Sequence, residues 1–462
     1  MSYSERIRAR WNAPQGYREV LRVGLPLVAS MASATVMQFT DRLFLSHYSV
    51  TSIAAAMPAG MAALVFQLMF VGLCGYVAVL TAQYMGANLP HRVGAALWQG
   101  IWLALVSTLL LSGLWFIAEP LFVWAGHTPA IQAEEVVYFR ILILGSVFFL
   151  LGSVVSGFFI GRGHTRPVFI ANLAGALLNI PLDYAMIFGA WGMPEMGIAG
   201  AALATVTGWA LCTAILAACI FTRRNDQLFS VRRAWRLERE LFGRLLHFGL
   251  PSGCNLFLEV VGFSWFILEI GRLGEVSQAA SSIAFSLNSV IFTPMLGLNN
   301  AVSALVGQAM GRRKPLEAEA AATSALHLSL FYMLFWVAVF VLFAGWLVAL
   351  FLPSGGGADL GPIRELSIVL LYYVALYSLL DSFNLIYIGA LKGAGDTRFI
   401  MLIMAGTALF CLLLPIVILQ WLDLATVHRY WWVFTAYIMI MAACARARFR
   451  RRGWHALRVI ED

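Results

Sequence analysis

Long apolar stretches dominate this chain, and short polar clusters separate them. Twelve runs, 18–46, 53–80, 93–116, 136–160, 167–190, 197–221, 243–269, 281–306, 317–350, 363–392, 398–421 and 428–446, approach or exceed the length a membrane helix needs. About 20 apolar residues carry a helix across roughly 30 Å of hydrocarbon. Pro and Gly are too scattered, and alternation with a period of two is too weak, for a membrane barrel.

Composition agrees with the pattern. The 462 residues are 61% hydrophobic and only 12% charged, where about a quarter of a soluble protein's residues are charged. The net charge of +8 would suggest nucleic acid, but its distribution argues against that partner. With the N-terminus placed in the cytoplasm, 26 of the 31 Lys and Arg fall on one side, leaving Arg42, Arg140, Arg272, Arg364 and Arg429. This is the positive-inside bias. It predicts a multi-pass protein of the cell inner membrane with both termini cytoplasmic and the basic clusters on anionic headgroups. No leader is expected at the start, MSYSERIRAR, and residues 1–17 read as a basic interfacial segment with Trp11 at the headgroups. The cysteines Cys74, Cys212, Cys219, Cys254, Cys411 and Cys444 all fall inside spans and are expected to be buried free thiols.

An internal repeat organises the chain. At an offset of 225, Gly24-Leu25-Pro26 falls on Gly249-Leu250-Pro251, and Gln83-Tyr84-Met85-Gly86 on Gln308-Ala309-Met310-Gly311. Ala54-Ala55 falls on Ala279-Ala280, and Gly72-Leu73 on Gly297-Leu298. Seven residues out of register, Gly161-Arg162-Gly163-His164-Thr165-Arg166 matches Gly393-Ala394-Gly395-Asp396-Thr397-Arg398, a shift assigned to a longer outer loop around Pro353-Ser354-Gly355-Gly356-Gly357. Six spans precede the second copy, so both copies enter the membrane from the same side. The expected fold is all-α integral membrane, with twelve transmembrane helices in two parallel six-helix repeats around a central cavity. Its parts are a basic N-terminal segment (1–17), an N-lobe (18–221), a cytoplasmic linker (222–242), a C-lobe (243–446) and a basic tail (447–462). Duplication alone also suits a scaffold or a channel. The polar residues inside the spans favour a transporter.

Four acidic residues, Asp41, Asp183, Glu259 and Asp381, lie well within spans, where a charge costs about 2.5–3.5 kcal/mol on insertion scales. Four such groups call for a function or a partner. In the first lobe Asn179 and Asp183 stand four apart on one helix face, and Pro181 between them releases the carbonyl of Leu177. Amide, carboxylate and carbonyl oxygens in one turn suit a hard cation, and Asp41, Asn179 and Asp183 are the candidate Na⁺ ligands. Thr205 lies about 12 Å below the outer start of its helix at 1.5 Å per residue, level with Asp41 and Asp183, and Tyr138 opens helix 4 on the same side. An alternative role for Asn179 is to tie helix to helix.

The second lobe carries its own polar seam. Ser252, Asn255 and Glu259 follow a spacing of three and four, and Tyr373, Tyr377, Asp381 and Asn384 line one stripe of helix 10. A carboxyl carried between wet and dry surroundings can hold a proton or a cationic substrate, but not both. Phe263, Phe266, Tyr373 and Tyr377 offer ring faces to flat cations, so small, often cationic, organic compounds are the expected substrates. Glu269, Arg272 and Arg42 read as interface residues. No Ser/His/Asp grouping or metal-type His spacing points to an enzyme, the repeated Gly-x-Gly-x-Thr-Arg lies in a turn between helices rather than after a strand, and no cofactor is expected.

These residues resemble the multidrug and toxic compound extrusion (MATE) family over nearly the whole chain, from about Val23 to Tyr437. The landmarks are Pro26 with Asp41, Pro251 with Glu259, Asp381 with Asp396 in Gly-Ala-Gly-Asp-Thr-Arg, Gln83-x-x-Gly86, Leu178-Asn179-Ile180-Pro181-Leu182-Asp183, and Gly197-Ile198-Ala199-Gly200-Ala201-Ala202-Leu203-Ala204-Thr205. The resemblance implies two lobes around a V-shaped cavity and efflux of organic cations driven by inward H⁺ or Na⁺. It assigns coupling to residues matching Glu259 and Asp381 in a NorM-like branch, and to residues matching Asp41, Asn179, Asp183, Thr205 and Tyr138 in a DinF-like branch. This chain carries both sets. It departs from the NorM-like pattern at Ala34 and at Ser281-Ser282, so the branch and the ion stay open. A flippase for a lipid-linked substrate, from the same wider superfamily, is the alternative. A monomer is expected.

Overall fold

The computed structural model describes residues 10–351 and 360–461. Among them twelve helices are long and apolar enough to cross a membrane. They are α1 (Tyr17–Tyr48), α2 (Val50–Gly86), α3 (Pro90–Trp115), α4 (Pro129–Gly161), α5 (Arg166–Phe188), α6 (Gly197–Ile220), α7 (Arg239–Gly271), α8 (Glu275–Gly311), α9 (Pro315–Leu342), α10 (Gly361–Ala394), α11 (Thr397–Trp421) and α12 (Val427–Arg450). The expected all-α class and the twelve spans are both present. The expected loop at Pro353–Gly357 and the first half of the N-terminal segment lie outside the described residues. Trp11 within that segment is 44% exposed.

Local sequence sets the helix ends. Pro90, Pro129 and Pro315 open α3, α4 and α9, where a missing backbone N–H costs nothing. Ser49 caps α2 by accepting from Thr51 N and Ser52 N at 3.2 and 3.4 Å. Gly395, at φ +96°, ends α10 in a left-handed turn that a side chain would strain. α4 starts at Pro129, seven residues ahead of its expected start. α2 is interrupted at Gly75-Tyr76 and runs on to Gly86. The ninth expected run divides into α9 and a short helix Ala344–Ala349. α11 widens to a π turn over Ala408–Leu413 just ahead of Pro415, whose ring nitrogen has no hydrogen to give the preceding turn.

The chain divides into two compact units. One comprises Leu25–Phe257, Gly307–Lys314 and the described residues from Arg458 on; the other comprises the described residues up to Gly24, Leu258–Val306 and those of Pro315–Leu457. In the first unit α5 packs on α6, α4 packs on α2, α3 and α6, and small residues bring backbones close. A Cβ added to Gly175 on α5 would meet Gly208 O of α6 at 2.8 Å. The repeated Gln-x-Met-Gly motif meets its own copy here. A Cβ on Gly86 would fall 2.1 Å from Gln308 O, and one on Gly311 would fall 2.1 Å from Gln83 O.

The same unit holds a knot of charge at the starts of α3 and α7. Arg92 Nη1 pairs with Glu238 Oε2 at 2.7 Å, and Arg92 Nε donates to Glu461 Oε1 at 3.0 Å. Tyr84 Oη donates to Glu461 Oε2 at 2.9 Å. Burial raises the Glu461 carboxyl, but its own backbone N–H and the donors Arg92 and Tyr84 outweigh that and hold it below its usual value.

In the second unit α10 packs on α9 and α12. Gly393 meets Ser303 O, which a Cβ would approach to 2.3 Å. Asp396 Oδ2 pairs with Arg448 Nε at 2.7 Å, which gives the acid of Gly-Ala-Gly-Asp-Thr-Arg a structural partner.

Two expectations need correction. All six cysteines are free, but only Cys74 and Cys212 are buried and Cys219 is exposed. Cys219 lies in the last turn of α6. Glu269 is buried at 4% exposure and not an open interface residue: its Oε1 takes Arg272 Nη1 at 2.9 Å and its Oε2 takes the amide of Gln420. Lys392, the last residue of the tenth expected run, lies in the last turn of α10.

Candidate ion-coupling site

The closest gathering of intramembrane acids is in the first unit. Gly175, Asn179 and Asp183 recur every four residues on α5, and Thr205 and Gly208 lie one turn apart on α6. The glycines let the two backbones touch. A Cβ on Gly208 would stand 3.5 Å from Asn179 Cβ, so the close approach delivers the polar residues to one another.

The result is a continuous hydrogen-bonded cluster. Thr205 Oγ1 donates to Asp41 Oδ2 at 3.0 Å. The Asn179 amide, oriented by its acceptors, donates to Asp41 Oδ1 and Asp183 Oδ2, each at 3.1 Å. The Asp41 and Asp183 carboxyls also lie within hydrogen-bond reach of each other. Asn179 and Asp183 have no exposed surface. Two carboxyls this close cannot both stay ionised in a dry site without a proton or a cation beside them. Tyr138, buried on α4, stands in the electrostatic field of both, and Arg42 is exposed next to Asp41. Asp41, Asn179, Asp183, Thr205 and Tyr138 therefore come together from four helices.

The second unit holds Glu259, Asp381 and Asn384. Asn384 Nδ2 donates to Asp381 Oδ1 at 3.0 Å, and Glu259 feels both Asp381 and Lys392. Lys392 stands eleven residues after Asp381, three helical turns along the same stripe. Among the described residues, two buried polar atoms here have no hydrogen-bond partner: Tyr377 Oη and Asn384 Oδ1. The rings expected to receive a substrate are already among rings. Phe263 meets Phe285 edge-on at 4.9 Å, Phe266 stacks on Phe434 at 4.6 Å, and Tyr377 meets Phe434 at 5.5 Å. Tyr373 meets Trp432 at 5.3 Å. The α7 stripe is divided at Phe257, so Ser252 and Asn255 belong to the first unit and Glu259 to the second.

One acid escaped the sequence. Glu135 on α4 is fully buried, and its Oε1 takes His127 Nδ1 at 2.7 Å while its Oε2 has no hydrogen-bond partner among the described residues. It lies just outside the expected start of helix 4. The sign that would have found it is Thr128-Pro129, a helix opening about two turns earlier.

Twelve spans, an internal duplication and acids held together inside a helical unit define a polytopic membrane transporter. The MatE family model matches residues 26–185 and 251–418. The chain belongs to that family, whose members are transporters and not enzymes. Solved structures share the fold. One, described as an outward-facing multidrug resistance MATE family transporter of the MOP superfamily, aligns at TM-score 0.86 and 20% identity over 96% of this chain and 97% of its own. A MOP superfamily transporter from Pyrococcus furiosus, described as having a binding pocket of reversed polarity, aligns at 0.85 and 20% with the same coverage. A MATE structure in a straight conformation aligns at 0.84 and 21%, covering 96% and 97%.

Proposed function

We propose that this chain is a secondary active exporter of small, often cationic, organic compounds, driven by an inward cation, H⁺ or Na⁺, through alternating access. The observation that carries this reading is the Asp41–Asn179–Asp183–Thr205 cluster. It is an oxygen-rich, buried group whose charge must be balanced by a bound cation or proton, and loading or unloading that charge changes what the helices around it tolerate. Asp41, Asn179 and Asp183 are the ligands a Na⁺ would take; a proton would sit between the two carboxyls. In the second unit, Glu259 and Asp381 supply the second acidic pair, and Tyr377 and Asn384 supply polar atoms without a hydrogen-bond partner among the described residues, with Phe263 and Tyr373 from the same unit, for substrate; Asn255, in the first unit, is proposed as a further substrate residue. We place the protein in the cell inner membrane as a monomer with both termini cytoplasmic, and take residues 18–221 and 243–446 as the moving lobes.

The test is transport in proteoliposomes carrying separate H⁺ and Na⁺ gradients, with an organic cation such as ethidium as cargo. Efflux is expected to follow one gradient and to be lost in Asp41→Asn and Glu259→Gln. Efflux that survives removal of both gradients and of all four acids would overturn the reading.

A further inference from the structure

Glu135 and His127 stand outside the coupling cluster, yet their geometry bears on it. Glu135 has no exposed surface, and His127 is the group that joins it to the boundary, with a side chain 38% exposed. The imidazole is held in place. Its Nδ1 lies 2.7 Å from Glu135 Oε1, and the backbone carbonyl of His127 accepts the Gln132 amide at 2.5 Å. The second ring nitrogen, Nε2, enters no hydrogen bond with the described residues that would tie it inward. An imidazole with one nitrogen on a buried acid can take a proton at the other nitrogen and release one at the first.

Glu135 Oε2 is buried with no hydrogen-bond partner among the described residues. Three residues further on α4, on the same face and about 4.5 Å deeper at 1.5 Å per residue, stands Tyr138, which feels Asp41 and Asp183. Two further charges lie near on α4. Arg140 pairs with Glu119, on the helix Ala118–Ala125 packed against α4, at 2.9 Å. Glu134 has a buried Oε2 with no hydrogen-bond partner among the described residues, and its charge acts on Tyr48, whose hydroxyl donates to Glu195 Oε1 at 2.9 Å.

We infer that His127 and Glu135 form a proton entrance to the Asp41–Asp183 pair, so that this site is loaded by H⁺. A proton from water joins His127 Nε2, and the Nδ1 proton passes to Glu135 Oε1, leaving a neutral imidazole. The protonated carboxyl turns about its Cγ–Cδ bond and gives that same proton to the Tyr138 hydroxyl, which passes its own to the carboxyl pair. Glu135 returns to carboxylate, and one proton has moved inward. A metal cation cannot follow this path, because it would have to pass through a ring that only hands on hydrogens.

The inference rests on the proposed coupling role of Asp41 and Asp183, and the experiment separates the two. Ethidium efflux from proteoliposomes is measured against external pH for wild type, Glu135→Gln, Glu135→Asp and His127→Ala, with ethidium binding at equilibrium as the control. Glu135→Gln is expected to slow H⁺-driven efflux at least tenfold with binding unchanged, and Glu135→Asp to retain part of the rate. His127→Ala is expected to be slow and to be accelerated by imidazole added at the face where His127 lies. Wild-type rates and pH profile in Glu135→Gln would overturn the entrance and leave the coupling role standing. So would wild-type efflux that follows Na⁺ alone. Efflux indifferent to both gradients would overturn the coupling role and the entrance with it.

Discussion

Thr205 on α6 donates its hydroxyl to Oδ2 of Asp41 on α1 at 3.0 Å, so a helix without any charge of its own holds one of the four intramembrane acids. A hydrogen bond to a charged group contributes about 1.5–3 kcal/mol. Thr205→Val is expected to raise the half-saturating concentration of the driving cation about tenfold, since about 1.4 kcal/mol is a factor of ten. Thr205→Ser is expected to keep the wild-type value. Initial rates of dye efflux against cation concentration decide it.

Tyr377 offers a test of the second unit. Its hydroxyl is buried without a partner, and an unpaired buried donor carries a desolvation cost of about 1–3 kcal/mol. Tyr377→Phe is expected to raise Tm in detergent when no cargo is present. It is also expected to weaken any cargo that hydrogen-bonds there. Thermal melts with and without ethidium read both effects; a lower Tm in the empty protein would show that the hydroxyl is satisfied.

The Arg92–Glu461 pair predicts a pH dependence. The Glu461 carboxyl is held below its unfolded value. Its contribution is therefore fully present above the unfolded value and is lost as pH falls through the folded one. Arg92→Ala is expected to cost about 1 kcal/mol near neutral pH, the scale of a partly exposed ion pair. The difference from wild type is expected to shrink on acidification below the usual carboxylate range. Melts of both proteins across that range check the sign.

Backbone contact gives the sharpest stability prediction. Gly86→Ala and Gly311→Ala each place a methyl 2.1 Å from a carbonyl oxygen, so each is expected to lower Tm markedly or abolish folding. Gly113→Ala, where nothing lies within 4 Å, is the control and is expected to stay within about 0.5 kcal/mol of wild type. Equal behaviour of the three would mean that the contact is not close.

Much of this architecture is legible from hydropathy because lipid leaves so few alternatives: an apolar run of membrane length has to be a helix. Asp41, Asn179, Asp183 and Thr205 are legible for the same reason, since polar atoms inside a span must find one another. Glu135 is not. It sits near the start of its span, where the apolar run fades before the helix does, so a reading by hydropathy leaves it outside the helix. The interruption at Gly75-Tyr76 escapes as well, because both sides of it are equally apolar. The self-packing of the substrate-facing rings is a matter of which side chain points where, and a stripe of spacings carries no such information.

The meeting of Gln83–Gly86 with Gln308–Gly311 has a consequence for how this protein changes over time. A contact in which each copy gives the same glycine to the same carbonyl is the contact of two identical subunits across a twofold axis. In such a dimer every mutation is made twice, and an acid gained in one half burdens the other as well. Joined into one chain, each half mutates alone. Glu259 can stand where its counterpart is Ala34, and Asp41 where its counterpart is Phe266. Fusion therefore freed the interior to diverge while the glycine seam kept its twofold likeness.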